Sequence, residues 1–467
     1  MLWPRGRSGP VTHTPTAAPP RRTAWSEGVD RARAAATTEP GRLRIIGAVL
    51  AALVIAFGAV TAWEMSERTS AADSIVDRSQ PLSRDAADIY RSLADANTTA
   101  ASGFLAGGEE KRSVRLRYEK DIAEASRKLA KAAAGSSGSV SSTEEITRLN
   151  ERLAVYTGLI ETARANNRQG LPLGGAYLRH ANDMMQNELL ESADRLYRAE
   201  TARLDRDYDE AKGWPYFATA TGLLALGFLA WAQRRNYLRT NRVFNHGLVA
   251  ATAACGVVLL WLVAGHSVAR AQLTDSYEHG ARSLQVLNKA RIASLQARGD
   301  ENLTLVARGA VTETVGGRTM DAYEVGYQAK METLVGTDPG KPAPGSLLGE
   351  AAELADDPAG GNPVQAAAKS VSRWDDKHRE ARAADDGGNY DGALADVIGE
   401  RDSTGNWFDK VDDSLAQALG HEQSEFRQAA NDGRGALTGL PLGAAVLAVL
   451  GAAGAILGIG RRLSEYR

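Results

Sequence analysis

The chain has 467 residues, with 55 Lys and Arg against 57 Asp and Glu, and a single cysteine, Cys255. One thiol excludes a disulfide-built scaffold. The near-zero charge balance conceals a separation along the chain, and the acidic part of it excludes nucleic acid as a partner.

Residues 1–44 carry eight Arg against three acids and include Thr14-Pro15 and Pro19-Pro20-Arg21-Arg22. With almost no apolar periodicity, this stretch cannot bury enough surface to fold and reads as a disordered basic cytoplasmic tail, in which Trp25 invites a contact. Residues 45–63, between Arg44 and Glu64, hold no charge. About 20 such residues cross a bilayer as a helix, which satisfies its own backbone there. No A-x-A site follows, so this first transmembrane helix is expected to stay as an anchor.

Residues 64–213 have apolar side chains at helical spacing. Ile75, Leu82, Ile89 and Ala96 repeat every seven residues, with Ala86, Leu93 and Ala100 as a companion row, which makes a seam for helix packing. Pro81 predicts a kink or short break, and Gly107-Gly108 ends the helix. A second helix covers 112–134, with Val114, Tyr118, Ile122, Ala125 and Leu129 at 3.6 spacing, and Gly135 to Gly138 reads as a turn. Ser142 and Glu145 read as a capping box opening a third helix with Ile146, Leu149, Leu153, Tyr156 and Ile160. After a turn at 169–175, a fourth carries Leu190, Tyr197, Leu204 and Ala211 and runs to Lys212. This segment is predicted as a first extracytoplasmic bundle.

Two further uncharged stretches, 214–233 and 243–269 (core about 244–264), flank a connector, 234–242, that holds Arg234, Arg235, Arg239 and Arg242 and no acid. They predict a transmembrane hairpin whose arginine turn faces the cytoplasm, because flanking Arg and Lys resist translocation. His246 reads as an interfacial residue, and Cys255 as a small packing residue in mid-span. Residues 270–434 repeat the pattern: a long helix through Leu273, Leu284, Leu287, Ile292 and Leu295, then helices at 319–334, 364–384 and 407–431, with a Pro/Gly-rich loop at 336–363 that holds a helical turn at 347–354. Leu93 and Leu295, and Tyr118-Glu119 and Tyr323-Glu324, lie at offsets of 202 and 205. A fourth uncharged span, 435–460, precedes a short basic C-terminus, 461–467.

The expected fold is thus an all-α membrane protein. Four transmembrane helices carry two extracytoplasmic antiparallel four-helix-bundle-like domains, from a duplicated span–bundle–span unit with both termini cytoplasmic. The cytoplasmic pieces then have a net charge of +11 and the exterior −13.

Several residues carry functional expectations. Pro215 and Pro441 lie near the outer ends of the exit spans and are candidate hinges. Arg234, Arg235, Arg239 and Arg242 are candidate cytoplasmic contacts. Gly435, Gly439 and Gly443 recur every four residues, as do Gly454 and Gly458, and predict close packing of the fourth span among the others or against a second protomer of a homodimer.

Catalytic and metal motifs are absent from the sequence. His421-Glu422 is followed by Ser424-Glu425 and lacks the second His of a helical zinc motif. Residues 385–392 have the composition of a calcium loop without its spacing and read as a solvated turn. There is no P-loop, G-x-S-x-G or Cys/His pairing, and the spans hold no Asp, Glu, Lys or Arg of the kind a transport path uses. The expectation is a non-enzyme with no cofactor, no catalytic residue and no metal.

Tail, span, bundle, arginine-turned hairpin, second bundle and last span together resemble the four-span actinobacterial membrane proteins that act between an amino-acid-binding lipoprotein and the soluble serine/threonine kinase G. The resemblance implies a relay: a lipoprotein loaded with glutamate, aspartate or glutamine docks outside, and the cytoplasmic surface alters kinase output. Such a relay needs only that the loaded partner prefer one of two bundle arrangements. Two alternatives remain, a direct receptor with a ligand held by residues such as Arg115, Arg117 or Arg164, and a passive envelope scaffold.

Overall fold

The computed structural model of the chain describes residues 39–107, 110–135, 139–240 and 245–464. Nearly all are helical, and four helices are long and apolar enough to cross a membrane. This is the layout of a multi-pass membrane protein, as the sequence predicts. Contacts divide the chain into an apolar unit, containing the chain to Val60, Phe217–Leu259 and the chain from Gly443, and a bundle unit of Thr61–Tyr216 and Leu260–Leu442.

In chain order, α1 (Glu39–Ser74) passes through a π-helical turn at Ile75–Ser79 into α2 (Gln80–Leu105). Pro81 does not break the run: it follows directly on the π turn at Ile75–Ser79, and the backbone stays helical through it. Gly107, at φ +63°, ends the run in the left-handed region. α3 (Arg112–Gly135), α4 (Val140–Arg168) and α5 (Leu173–Met184) follow, then a π turn at Met185–Leu189 and α6 (Leu190–Lys212). The cap of α4 is Ser139, whose Oγ accepts from the Ser142 N–H at 3.3 Å, three residues before the predicted capping box. Ser142 and Glu145 instead turn inward, to Glu200 and Arg195.

The two middle spans lie in α7 (Tyr216–Thr240) and α8 (His246–Asp275). A π turn at Ser276–Ala281 joins α8 to α9 (Arg282–Ala307), matching the entry of the first half. A hairpin of β1 (Thr312–Val315) and β2 (Arg318–Asp321) comes next, antiparallel, with Val315 opposite Arg318. Its turn, Gly316-Gly317, has positive φ at both positions, which only glycine adopts without strain. The predicted helix from Thr319 therefore starts later, as α10 (Ala322–Val335), because Asp321 caps it by accepting from the N–H groups of Tyr323 and Glu324. α11 (Leu347–Leu354) coincides with the helical turn expected in the Pro/Gly loop. α12 (Pro358–Asp386) begins six residues before the prediction and contains Pro363. α13 (Tyr390–Ile398) was not expected, and Asn389, in the calcium-like stretch, is its N-cap. α14 (Thr404–Leu437) opens on a capping box of Ser403 and Asn406, and α15 (Leu440–Ser464) is the last helix.

The predicted seams are core. Ile75, Leu82, Ile89 and Ala96 are buried, as are Ala86, Leu93 and Ala100, and in α6 Leu190, Tyr197, Leu204 and Ala211. Both halves of the bundle unit contribute to one hydrophobic cluster, which runs from Leu93 and Tyr156 to Leu295 and Trp374. They meet where α2 packs on α9. There Thr98 Oγ1 donates to the Leu295 carbonyl at 3.0 Å, Asn302 Nδ2 donates to Ser102 Oγ at 2.8 Å, and Gln296 Nε2 donates to Tyr90 OH at 3.0 Å.

In the apolar unit, α8 and α15 touch through glycine. A Cβ on Gly247 would lie 2.3 Å from the Gly454 carbonyl oxygen and 2.5 Å from Gly458 Cα, and Asn245 Nδ2 donates to the Gly458 carbonyl at 2.8 Å. Within the chain, Gly435 and Gly439 do not make the close approach to the other spans that the sequence predicts: a Cβ on either would meet nothing within 4 Å. Gly435 lies in the last turn of α14, and Gly439, at φ +80°, occupies the break before α15. Close approach falls instead to Gly454 and Gly458, the second glycine pair noted in this span.

Candidate functional site

The candidate hinge positions mark real breaks. α6 stops at Lys212 and α7 starts at Tyr216, so Gly213, Trp214 and Pro215 lie outside helix. α14 and α15 are likewise separated by Thr438 and Gly439, with Pro441 in the first turn of α15. Both entry helices, by contrast, stay helical through their π turns. At the first break Arg68 of α1 gathers the freed carbonyls, donating from Nε to Gly213 at 2.7 Å and from Nη2 to Trp214 at 3.1 Å. The Trp214 ring packs edge-on against His266, a buried residue of the third span that its sequence position did not single out.

The arginine connector is more helical than predicted. Arg234, Arg235 and Arg239 lie within α7, with Arg235 over the Trp231 ring at 5.5 Å, while Arg242 falls outside the described residues. Most of the basic tail does too.

Arg115, Arg117 and Arg164, the sequence candidates for a ligand, are each committed to carboxylates. Arg115 pairs with Glu119 at 2.8 Å and Glu161 at 3.2 Å; Arg117 pairs with Asp95 and Asp409, both at 3.1 Å. Arg164 is buried over the Tyr118 ring at 4.2 Å and pairs with Glu110 and Glu161. These pairs tie helices together, so each of the three guanidiniums already has its charge matched by carboxylates within the fold.

A different place has the attributes of a site. Between α2, α6, α9 and α14, just beyond the π turns, lies a polar cleft of about 360 Å³. Arg84, Asp88, Asn288, Arg291, Gln423 and Arg427 are among its lining residues. Arg291 is held by Asp412, with Nη2 to Oδ2 at 2.9 Å; burial opposes the charge, but this pairing keeps the Asp412 carboxyl below its ordinary range. Arg84 and Arg427 meet no carboxylate among the described residues. Gln423, 9% exposed, accepts from Gln80 Nε2 at 2.9 Å, yet its own Nε2 has no hydrogen-bond partner. Two open cations and an unsatisfied amide around a cavity of this size suit a small polar anion or zwitterion. In the sequence these residues sit singly on four helices far apart in number, with no motif to join them.

A second polar cluster is buried in the second half. Arg298 pairs with Glu301 and donates to Thr404 Oγ1 at 2.6 Å and to the Val397 carbonyl at 2.9 Å. Trp374 Nε1 donates to Glu301 at 3.1 Å, and His378 bridges Glu301 (2.9 Å) and Glu324 (3.1 Å) while stacking on Tyr327 at 3.7 Å. Burial alone would lower the His378 pKa, but the two carboxylates hold it up at about 9. Both glutamates are correspondingly held below their ordinary value against the burial that would raise them. Every member is partnered, which marks a structural network. Its one sequence trace is the charged pair Arg298 and Glu301, three residues apart on α9.

A family model described as "Actinobacterial sensor domain" matches residues 71–209, from the end of α1 through nearly all of α6. The match supports an actinobacterial sensor protein, and the matched segment contains the first-half wall of the cleft. No curated protein and no solved structure matches the chain.

Proposed function

We propose that the protein is a non-enzymatic transmembrane signal relay. Its bundle unit, extracytoplasmic in this reading, senses an amino-acid-loaded binding lipoprotein, and its cytoplasmic arginine connector and basic ends pass the state to a serine/threonine kinase. The observation that carries the reading is the shared core across α2 and α9: whatever binds either half acts on both entry helices at once. Sensing of this kind needs only a difference in affinity for two arrangements of those helices.

The test uses the full chain in lipid nanodiscs with the amino-acid-binding lipoprotein of the same organism. The expected result is a complex that tightens when the lipoprotein is loaded with glutamate, aspartate or glutamine, and kinase output in cells that falls when Arg234 and Arg235 are both changed to Glu. No loaded-state preference, with unaltered kinase output, would leave a passive envelope scaffold as the better account.

The cleft favours a second reading, direct sensing of a small ligand. In that case the isolated full chain is stabilised by amino acids without the lipoprotein, following RT ln(1+[L]/Kd), and Arg84→Ala with Arg427→Ala abolishes the effect.

A further inference from the structure

The sequence shows only half of a cluster that the tertiary structure completes. His421 and Glu425 stand one turn apart on α14, and Asp357, the N-cap of α12, is brought up to them from 64 residues earlier in the chain. His421 Nε2 lies 3.1 Å from Asp357 Oδ1 and 3.2 Å from Glu425 Oε1, and one ligand atom from each residue falls within 4.8 Å of the others. We propose that Asp357, His421 and Glu425 form a binding site for a divalent transition metal of the zinc class.

Three features support it. Metal–ligand bonds of roughly 2.0–2.2 Å place neighbouring ligands of a tetrahedron roughly 3.3–3.6 Å apart, close to both nitrogen–oxygen distances here. The buried Nε2 of His421 is aimed between two carboxylate oxygens yet has hydrogen-bond geometry to neither, as a metal-ligating nitrogen would. The surroundings also carry uncompensated negative charge. Beside the triad a cavity of about 190 Å³ is lined by Asp275, His279, Asp356, Glu425 and Asp432, with no Lys or Arg among its lining residues.

One imidazole and two carboxylates make a three-ligand site with a fourth position for water or a partner's side chain. Asp357 is already oriented, because the Gly360 N–H donates to its Oδ1 at 2.8 Å. A bound ion would tie the N-terminus of α12 to α14 beside the π turn of the second entry helix, since Ser276 and Gly280 line the same cavity.

The experiment is metal binding to the untagged full-length protein in detergent, stripped with chelator and titrated with Zn²⁺ and with Co²⁺, whose visible absorption reports tetrahedral coordination. The expected result is one equivalent per chain with an intense cobalt band. His421→Ala and Asp357→Asn should each lose affinity by more than the roughly 10- to 100-fold that an outer-shell change costs. Asp357→Asn keeps an N-cap acceptor and so tests charge and ligation in a folded chain. His180→Ala, at an exposed histidine of the first half, should bind as the parent does. No uptake by the parent, or equal uptake by His421→Ala or Asp357→Asn, overturns the proposal.

Discussion

Arg68 of the first entry helix donates its Nε hydrogen to the Gly213 carbonyl at 2.7 Å, at the point where the exit helix loses its own hydrogen bonds. The guanidinium fork also reaches Trp214 and the Glu64 carbonyl, so one side chain satisfies backbone from both helices. Pro215 supplies the break, and Arg68 determines what the break is attached to.

Arg68→Ala leaves the Gly213 and Trp214 carbonyls without this donor and should cost about 1–3 kcal/mol. Arg68→Lys should recover only part of it, because an ammonium lacks the planar fork. Thermal unfolding of the three proteins in one detergent measures the order; equal midpoints would show that water serves the carbonyls as well as arginine does.

His378 gives a pH dependence whose sign can be worked out. Its folded pKa of about 9 lies above the ordinary 6.5, so its contribution is fully present below pH 6.5 and is lost as pH rises through about 9. Glu301 and Glu324 are held below the ordinary 4.5, so their contribution is present above that value and lost as pH falls beneath it. The midpoint of unfolding should be highest between these limits and decline toward pH 9. His378→Gln should remove much of the alkaline decline and cost about 3–5 kcal/mol near pH 6, because it leaves Glu301 buried without one of its partners.

Gly247→Ala should be destabilising by about 1–3 kcal/mol, since the new methyl would meet the backbone of Gly454 and Gly458. Gly435→Ala should be neutral or stabilising by about 0.5–1 kcal/mol, as it adds a methyl to open space within a helix. Resistance to unfolding in detergent separates the two, and the reverse order would return the packing role to Gly435.

The shared core predicts that both halves of the bundle unit unfold together. Leu93→Ala and Leu295→Ala should each cost about 2–5 kcal/mol, and each should raise hydrogen exchange in the core helices of both halves. Faster exchange confined to the mutated half would mean that the α2/α9 contact is a docking of two independent folds.

Residue pattern made much of this architecture legible. Uncharged stretches located the four spans, and the seven-residue rows through Leu93 and Leu190 located buried faces, because both signals depend only on the period of a helix and the cost of moving charge into hydrocarbon. Local cap chemistry is less legible in the sequence. Ser139, not Ser142, caps α4, because Ser142 has Glu200 to bond inside the fold. Gly316-Gly317 lies in the gap before the helix expected at 319–334, and its turn joins a hairpin whose second strand, Arg318–Asp321, takes the first residues of that helix.

The sequence by itself determined the helices, the spans and the faces they bury. Only the tertiary structure decided that Arg115, Arg117 and Arg164 are spent on ion pairs, that Arg84, Gln423 and Arg427 surround one cleft, and that Asp357 reaches His421. The physical reason is range: helical period and hydropathy act over a few residues of chain, whereas ion pairs and clefts join side chains hundreds of positions apart, whose meeting follows from how α2 packs on α9 and α12 on α14.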